Sequence, residues 1–249
     1  MKNRILDQII RSIAIVKKDV VIYYSKGPVV LMGVLWPAIM FISFAFGRGM
    51  AIENLMPGLI GVSVFFACSA IAPVAFPWET AQRTLERLVS APVAIWTILF
   101  GDMLASALVG IIISVAPILI AIGFGVTFTS PLMLVFAIIV GSICFATMAL
   151  LLSVAPVSGP QYTQMLSTLI KFPMMFISGV FIPLANLPAP ARAISFISPL
   201  TYFTDIARYA TGHGSYLPLY VDFLAIITFT FVFWVIAVKL HNRTLPLRV

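Results

Sequence analysis

The sequence predicts an all-α membrane protein with six transmembrane helices, and three observations carry that prediction. The 249 residues are 61% hydrophobic and only 9% charged, with a mean hydropathy of +1.12, far from the composition of a soluble globular domain. The apolar residues gather into charge-free runs of about 20 residues or more, the length that crosses a ~30 Å hydrocarbon core as a helix. The cations cluster at Lys2, Arg4, Arg11, Lys17, Lys18 and Lys26, at Arg83 and Arg87, and at Lys239, Arg243 and Arg248. Clusters of that kind mark the cytoplasmic side of a multi-span protein. The net charge of +7 therefore speaks for membrane orientation and against nucleic acid, since no soluble domain exists to carry a basic face.

Residues 1–26 read as an interfacial helix. Ile5, Ile9, Ile13, Val16, Val20 and Tyr24 recur at spacings of three and four, with Arg4, Asp7, Arg11 and Lys18 on the other side. Such a helix lies at the lipid surface with its basic face toward anionic headgroups. The acidic Asp7 and Asp19 ahead of the first apolar run do not fit a cleaved secretory signal. Spans are expected over 27–47, 54–77, 95–122, 132–154, 161–182 and 217–238, all within one transmembrane domain. Pro37, in "LWPAIM", should kink the first, and Trp78 should sit at headgroup level after the second. The 68 uncharged residues from Met103 to Ile170 are divided by "GFGVTFTSP" and "PVSGP". Residues 183–208 are too polar and too proline-broken for a full span, and read as short helices dipping into the outer leaflet.

Six spans put both termini on one side. Of the fifteen Lys and Arg, eleven then fall inside and three (Arg48, Arg192, Arg208) outside, which fits the positive-inside rule; Lys171 lies within the membrane. Cys68 and Cys144 sit inside apolar runs and read as inert buried thiols, with no metal-ligand spacing. His213, in "TGHGS", reads as a solvated loop residue.

The stretch "ETAQRTLERLVSAPV" stands out against this background. As a helix over 79–92 it pairs Glu79 with Arg83 at i,i+4 and Arg83 with Glu86 at i,i+3. Such exposed pairs add ~0.2–0.5 kcal/mol each. Ala81, Leu85 and Leu88 form an apolar ridge, and Pro92 ends the helix. A connector needs only turn residues; a ridged, charged helix suits a groove on another protein.

This stretch resembles the cytoplasmic coupling segment of type-2 ABC exporter permeases. The usual form is an acidic start, then Gly-Thr-Leu-Glu, Leu, a small pair and Pro. Here Arg83 stands where Gly is common, while Thr84, Leu85, Glu86, Leu88, Ser90, Ala91 and Pro92 keep the pattern. A second segment, "FISGVFIPLANLPAPARAISFISPLTYFTDIAR", resembles the family's signature around span five through Ser178, Gly179, Phe181, Pro183, Pro199, Leu200, Thr201, Tyr202 and Arg208. The resemblance covers essentially the whole chain, within the drug-resistance and lipo-oligosaccharide export branch. It implies an exporter of a hydrophobic or amphipathic compound in a prokaryotic cytoplasmic membrane. It also implies a second permease subunit, the same or related, and an ATP-binding cassette ATPase subunit that holds ATP and Mg. This chain has no G-x-x-x-x-G-K-[ST] loop and is expected to be neither an enzyme nor an ATP binder. Coupling to the ATPase would fall to Glu79, Arg83, Thr84, Leu85, Glu86, Arg87, Leu88 and Pro92. An outer gate would include Gly179, Pro183, Pro199, Tyr202 and Arg208.

Two charges are out of place. An ionised group in the membrane costs ~2.5–3.5 kcal/mol even on gentle scales, so Lys171 and Asp102 each need a partner or water. Either they pair with each other, or Lys171 lines a translocation path and meets an anionic substrate group, with Phe172 and Phe176 beside it. Three other functions compete. A polysaccharide or teichoic-acid exporter permease belongs to the same class. A secondary transporter would show inverted repeats and several buried carboxylates, which are not evident. A membrane assembly factor would have no use for a coupling helix.

Overall fold

The computed structural model describes residues 2–24, 31–48, 52–82, 93–154 and 159–244, and among these there are helices and turns but no strand. Helix α1 covers Lys2–Asp19 and runs into a π-helical turn at Val20–Tyr24. A second π turn, Leu31–Leu35, leads into α2, Trp36–Arg48. This is the interruption that Pro37 predicts: proline cannot donate to the carbonyl four residues back, and the helix widens just ahead of it. Next come α3 (Ile52–Cys68) and α4 (Ala72–Ala81), separated by a three-residue break. The long helices α5 (Ile95–Gly123) and α6 (Pro131–Leu152) follow, then α7 (Pro160–Ile177). A 3-10 turn at Leu184–Asn186 and the short helices α8 (Ala189–Ser195) and α9 (Pro199–Ala210) lead to α10, Leu219–Thr244.

Four of these stretches are long and apolar enough to cross a membrane: Ile52–Ala81, Ile95–Gly123, Pro131–Leu152 and Leu219–Thr244. They correspond to expected spans two, three, four and six. The last runs six residues past the expected end at Val238, and so draws His241 into the bundle. The expected fifth span is shorter than predicted. Its helix stops at Ile177, where Gly179 turns the chain with φ of +72°, a conformation that a side chain resists.

The core lies between α3, α6 and α9. Phe65, Phe145 and Phe203 meet there edge-on or tilted at 5.1 and 5.6 Å between ring centres, all fully buried. Thus α9, although too short to span, is packed on nearly all sides against α3, α6 and α10. By contrast, α7 touches the bundle mainly through α4 and leaves Tyr162, Met165, Leu169 and Phe176 exposed along one side.

Helix α1 does more than float at an interface. Ile9 and Ile13 are exposed, as a lipid-facing stripe requires, but Ser12, Ile15 and Asp19 are buried along α5. Gln8 accepts hydrogen bonds from the Ala94 N–H (3.3 Å) and the Thr97 hydroxyl (2.7 Å), capping the start of α5.

Candidate translocation site

Helix α7 buries Thr163, Ser167 and Lys171. Lys171 is 2% exposed, although a lysine in that position has every reason to snorkel. It lines a cavity of 250 Å³ with Trp36, Phe66, Gln164, Thr168 and Phe172. Its ammonium donates to the Ser69 carbonyl oxygen at 2.8 Å and lies 5.8 Å from the centre of the Phe66 ring. Trp36 and Phe66 each meet Phe172 edge-on, at 5.8 and 5.6 Å, so aromatic faces wall the cation in. A wider apolar groove of 790 Å³ adjoins it along α7, lined by Gln161, Gln164, Met165, Thr168, Phe172 and Phe176, among others. Cavity and groove together present the Lys171 amine, the side-chain amides of Gln161 and Gln164, and several aromatic rings.

The structure does not pair Lys171 with Asp102. The lysine is spent on Ser69, and Asp102 belongs to a different cluster where α1, α4 and α5 converge. There Lys18 bonds to Glu79 and lies 3.1 Å from Asp19. Burial alone would lower the Lys18 pKa, but Asp102, Asp19 and Glu79 together hold it above its ordinary value. Asp19, Glu79 and Asp102 are each under 5% exposed, and Lys18 acts on all three. Depth along a helix, which the sequence supplies, does not fix the direction in which a side chain points. The two charges face different neighbours.

Glu79 also departs from its expected place. It is 3% exposed and closes α4 as the last buried turn of the second span, rather than opening a separate exposed helix at 79. Lys18, on α1, is one of its partners. Arg83, Thr84, Leu85, Glu86, Arg87, Leu88 and Pro92 lie outside the described residues.

Of the five residues expected at the outer gate, the structure joins Arg208 and Gly179 by a hydrogen bond. Arg208, 7% exposed on α9, donates to the Gly179 carbonyl at 2.9 Å and reaches the Val180 carbonyl at 3.5 Å. It thereby ties the turn after α7 to the buried helix. Pro199 occupies the first turn of α9, where its missing N–H costs nothing, and Pro183 precedes the 3-10 turn. The Tyr202 hydroxyl donates to the Phe196 carbonyl at 3.0 Å. Asp205 accepts from the Tyr216 and Leu217 N–H groups at 2.8–2.9 Å and fixes the approach to α10.

Sequence reading passed over Lys18, Ser69 and His241. Lys18 looked like one more orienting cation. His241 looked like part of a basic tail, yet it is 1% exposed, 3.0 Å from the Ser153 hydroxyl and 2.9 Å from the Ala237 carbonyl, against the Phe76 ring. Cys68 and Cys144 are buried free thiols, as expected.

The family model "ABC-2 type transporter" matches residues 12–211. The chain is 26% identical over 198 residues to the inner membrane transport permease YadH of Escherichia coli K12, covering 79% of this chain and 77% of that protein. It is 26% identical over 180 residues to nodulation protein J of Rhizobium meliloti, covering 66% and 68%. It is 30% identical over 197 residues to ABC transporter G family member 20 of Dictyostelium discoideum, covering 77% of this chain and 27% of the larger protein.

Proposed function

Because the chain belongs to the ABC-2 type transporter family, we propose that it is the permease subunit of an ATP-driven exporter that carries a hydrophobic or amphipathic compound out across the cytoplasmic membrane. ATP and Mg sit on a separate cassette ATPase, and two permease subunits face each other along the exposed side of α7. Both termini and residues 83–92 lie in the cytoplasm. Residues 83–92 receive the movement of the ATPase. The segment from Gly179 to Arg208 forms a re-entrant hairpin that closes the exit.

The observation that carries this reading is the pairing of a buried lysine with an aromatic-walled cavity on a helix that leaves one apolar side exposed. A substrate with an acceptor group and an apolar body finds both partners there. A soluble-side ion path would need lining carboxylates, and the cavity residues include none.

The coupling assignment is tested at the cytoplasmic stretch. Glu86→Arg and Leu85→Asp should leave the permease inserted and stable, while reducing co-purification of the ATPase and its ATP turnover in the complex by tenfold or more. Wild-type co-purification and turnover in both variants would reduce the stretch to a connector.

A further inference from the structure

The second span is interrupted at Ser69–Ile71, between α3 and α4. In an unbroken helix the carbonyl of residue 69 is met by the N–H of residue 73. Residue 73 is proline and has none. Ser69 is fully buried, so no solvent is at hand to substitute. The donor comes instead from another helix, as the Lys171 ammonium at 2.8 Å. One residue earlier the Cys68 carbonyl takes the Ser106 hydroxyl of α5. The helix then restarts as the Ile71 carbonyl accepts from the N–H groups of Val74 (2.8 Å) and Ala75 (3.0 Å). A cation at this place also meets the negative end of the α3 macrodipole.

We propose that Lys171 is a positioning residue that supplies the donor Pro73 withholds, and so holds the break in the second span open and fastened to α7. The consequence for transport rests on the function proposed above. Helix α7 borders the substrate groove, and α4 leads through Glu79 into the cytoplasmic stretch. A substrate acceptor that drew Lys171 away would leave the Ser69 carbonyl bare and favour a change in the bend. The break becomes the joint through which occupancy of the groove reaches the cytoplasmic end of the span.

The test needs no substrate and no ATPase, so its failure is distinct from failure of the transport reading. Melting temperature is measured on the purified chain in detergent for wild type, Lys171→Met, Pro73→Ala and the double variant. Lys171→Met should melt lower by about 5 °C. Pro73→Ala restores an N–H to the carbonyl, so it should raise the melting point more in the Lys171→Met background than in the wild type, by at least ~3 °C. Equal shifts in the two backgrounds would overturn the proposal, because a better helix former alone gives additive effects. If Lys171→Met fails to accumulate, recovery of folded double variant is the same rescue, and failure of both overturns it.

A second readout reports the bend itself. Spin labels at Glu53 and Gln82, both exposed at the two ends of the span, are measured in protein diluted with unlabelled copies. An unbroken helix would set those positions about 43 Å apart at ~1.5 Å per residue. The distance should lengthen toward that value in the double variant. An unchanged distance in the rescued double would show that Lys171 does not set the bend.

Discussion

Lys18 shows how much one side chain can hold. It bonds to Glu79, lies 3.1 Å from Asp19 and acts on Asp102, so it joins α1, α4 and α5 at one point. Breaking a buried ion pair by removing one partner typically costs ~3–5 kcal/mol, because a charge is stranded. Lys18→Met strands more than one carboxyl group and should destabilise at the upper end of that range. Glu79→Gln leaves Lys18 with its other acids and should cost less. The sign with pH follows from the raised pKa. A lysine held above its ordinary value contributes fully below about pH 10.4 and loses that contribution only as pH rises through its folded value. The melting difference between wild type and Lys18→Met should therefore stay constant from pH 7 to 9; a difference that vanished in that window would assign the stability to something other than the ammonium. At this scale the sequence was half legible. Lys171 and Asp102 were visible as misplaced charges because nothing near them in the chain is charged. Their partners were not, since Ser69 and Lys18 look ordinary until a proline break and a docked helix give them work.

At the scale of elements, α9 explains why a proline-rich, polar segment carries such a specific pattern. It is buried against α3 and α6 through Phe203, and the turn after α7 is fastened to it by Arg208. The same turn presses on α3 from outside: a Cβ on Gly58 would collide with the Val180 backbone oxygen, which cannot swing away as a side chain would. Gly58→Val should therefore cost ~1–3 kcal/mol or more, read as a fall in melting temperature. Gly47→Ala meets no neighbouring atom within 4 Å and should stay within ~0.5 kcal/mol of wild type. Equal behaviour of the two would mean that the hairpin does not bear on α3. Proline and glycine spacing made the broken segment readable, and the four long apolar runs made the long helices readable. Burial of α9 was hidden because its polar atoms are satisfied locally. Thr201 and Tyr202 donate to the Ser195 and Phe196 carbonyls. The end of the second span was misjudged because a buried glutamate at position 79 reads, without Lys18 in view, as the start of an exposed helix.

For the whole molecule, the parts fall in a functional order. The groove and the buried lysine lie along α7, the break tied to that lysine lies in the second span, and the described part of that span ends in the acid–lysine cluster. Under the proposed function these parts would serve in turn as the substrate site, a joint, and the approach to the stretch that meets the ATPase. The central claim is ATP-driven outward movement, and transport in inside-out vesicles tests it most directly. Vesicles containing this chain with its ATPase subunit are given ATP and either an anionic or a cationic fluorescent amphiphile. The account predicts ATP-dependent accumulation of amphiphile inside the vesicles, stronger for the anionic probe and selectively weakened for it by Lys171→Met. Accumulation that proceeds equally without ATP, or no accumulation of either probe by a complex that hydrolyses ATP, would contradict it.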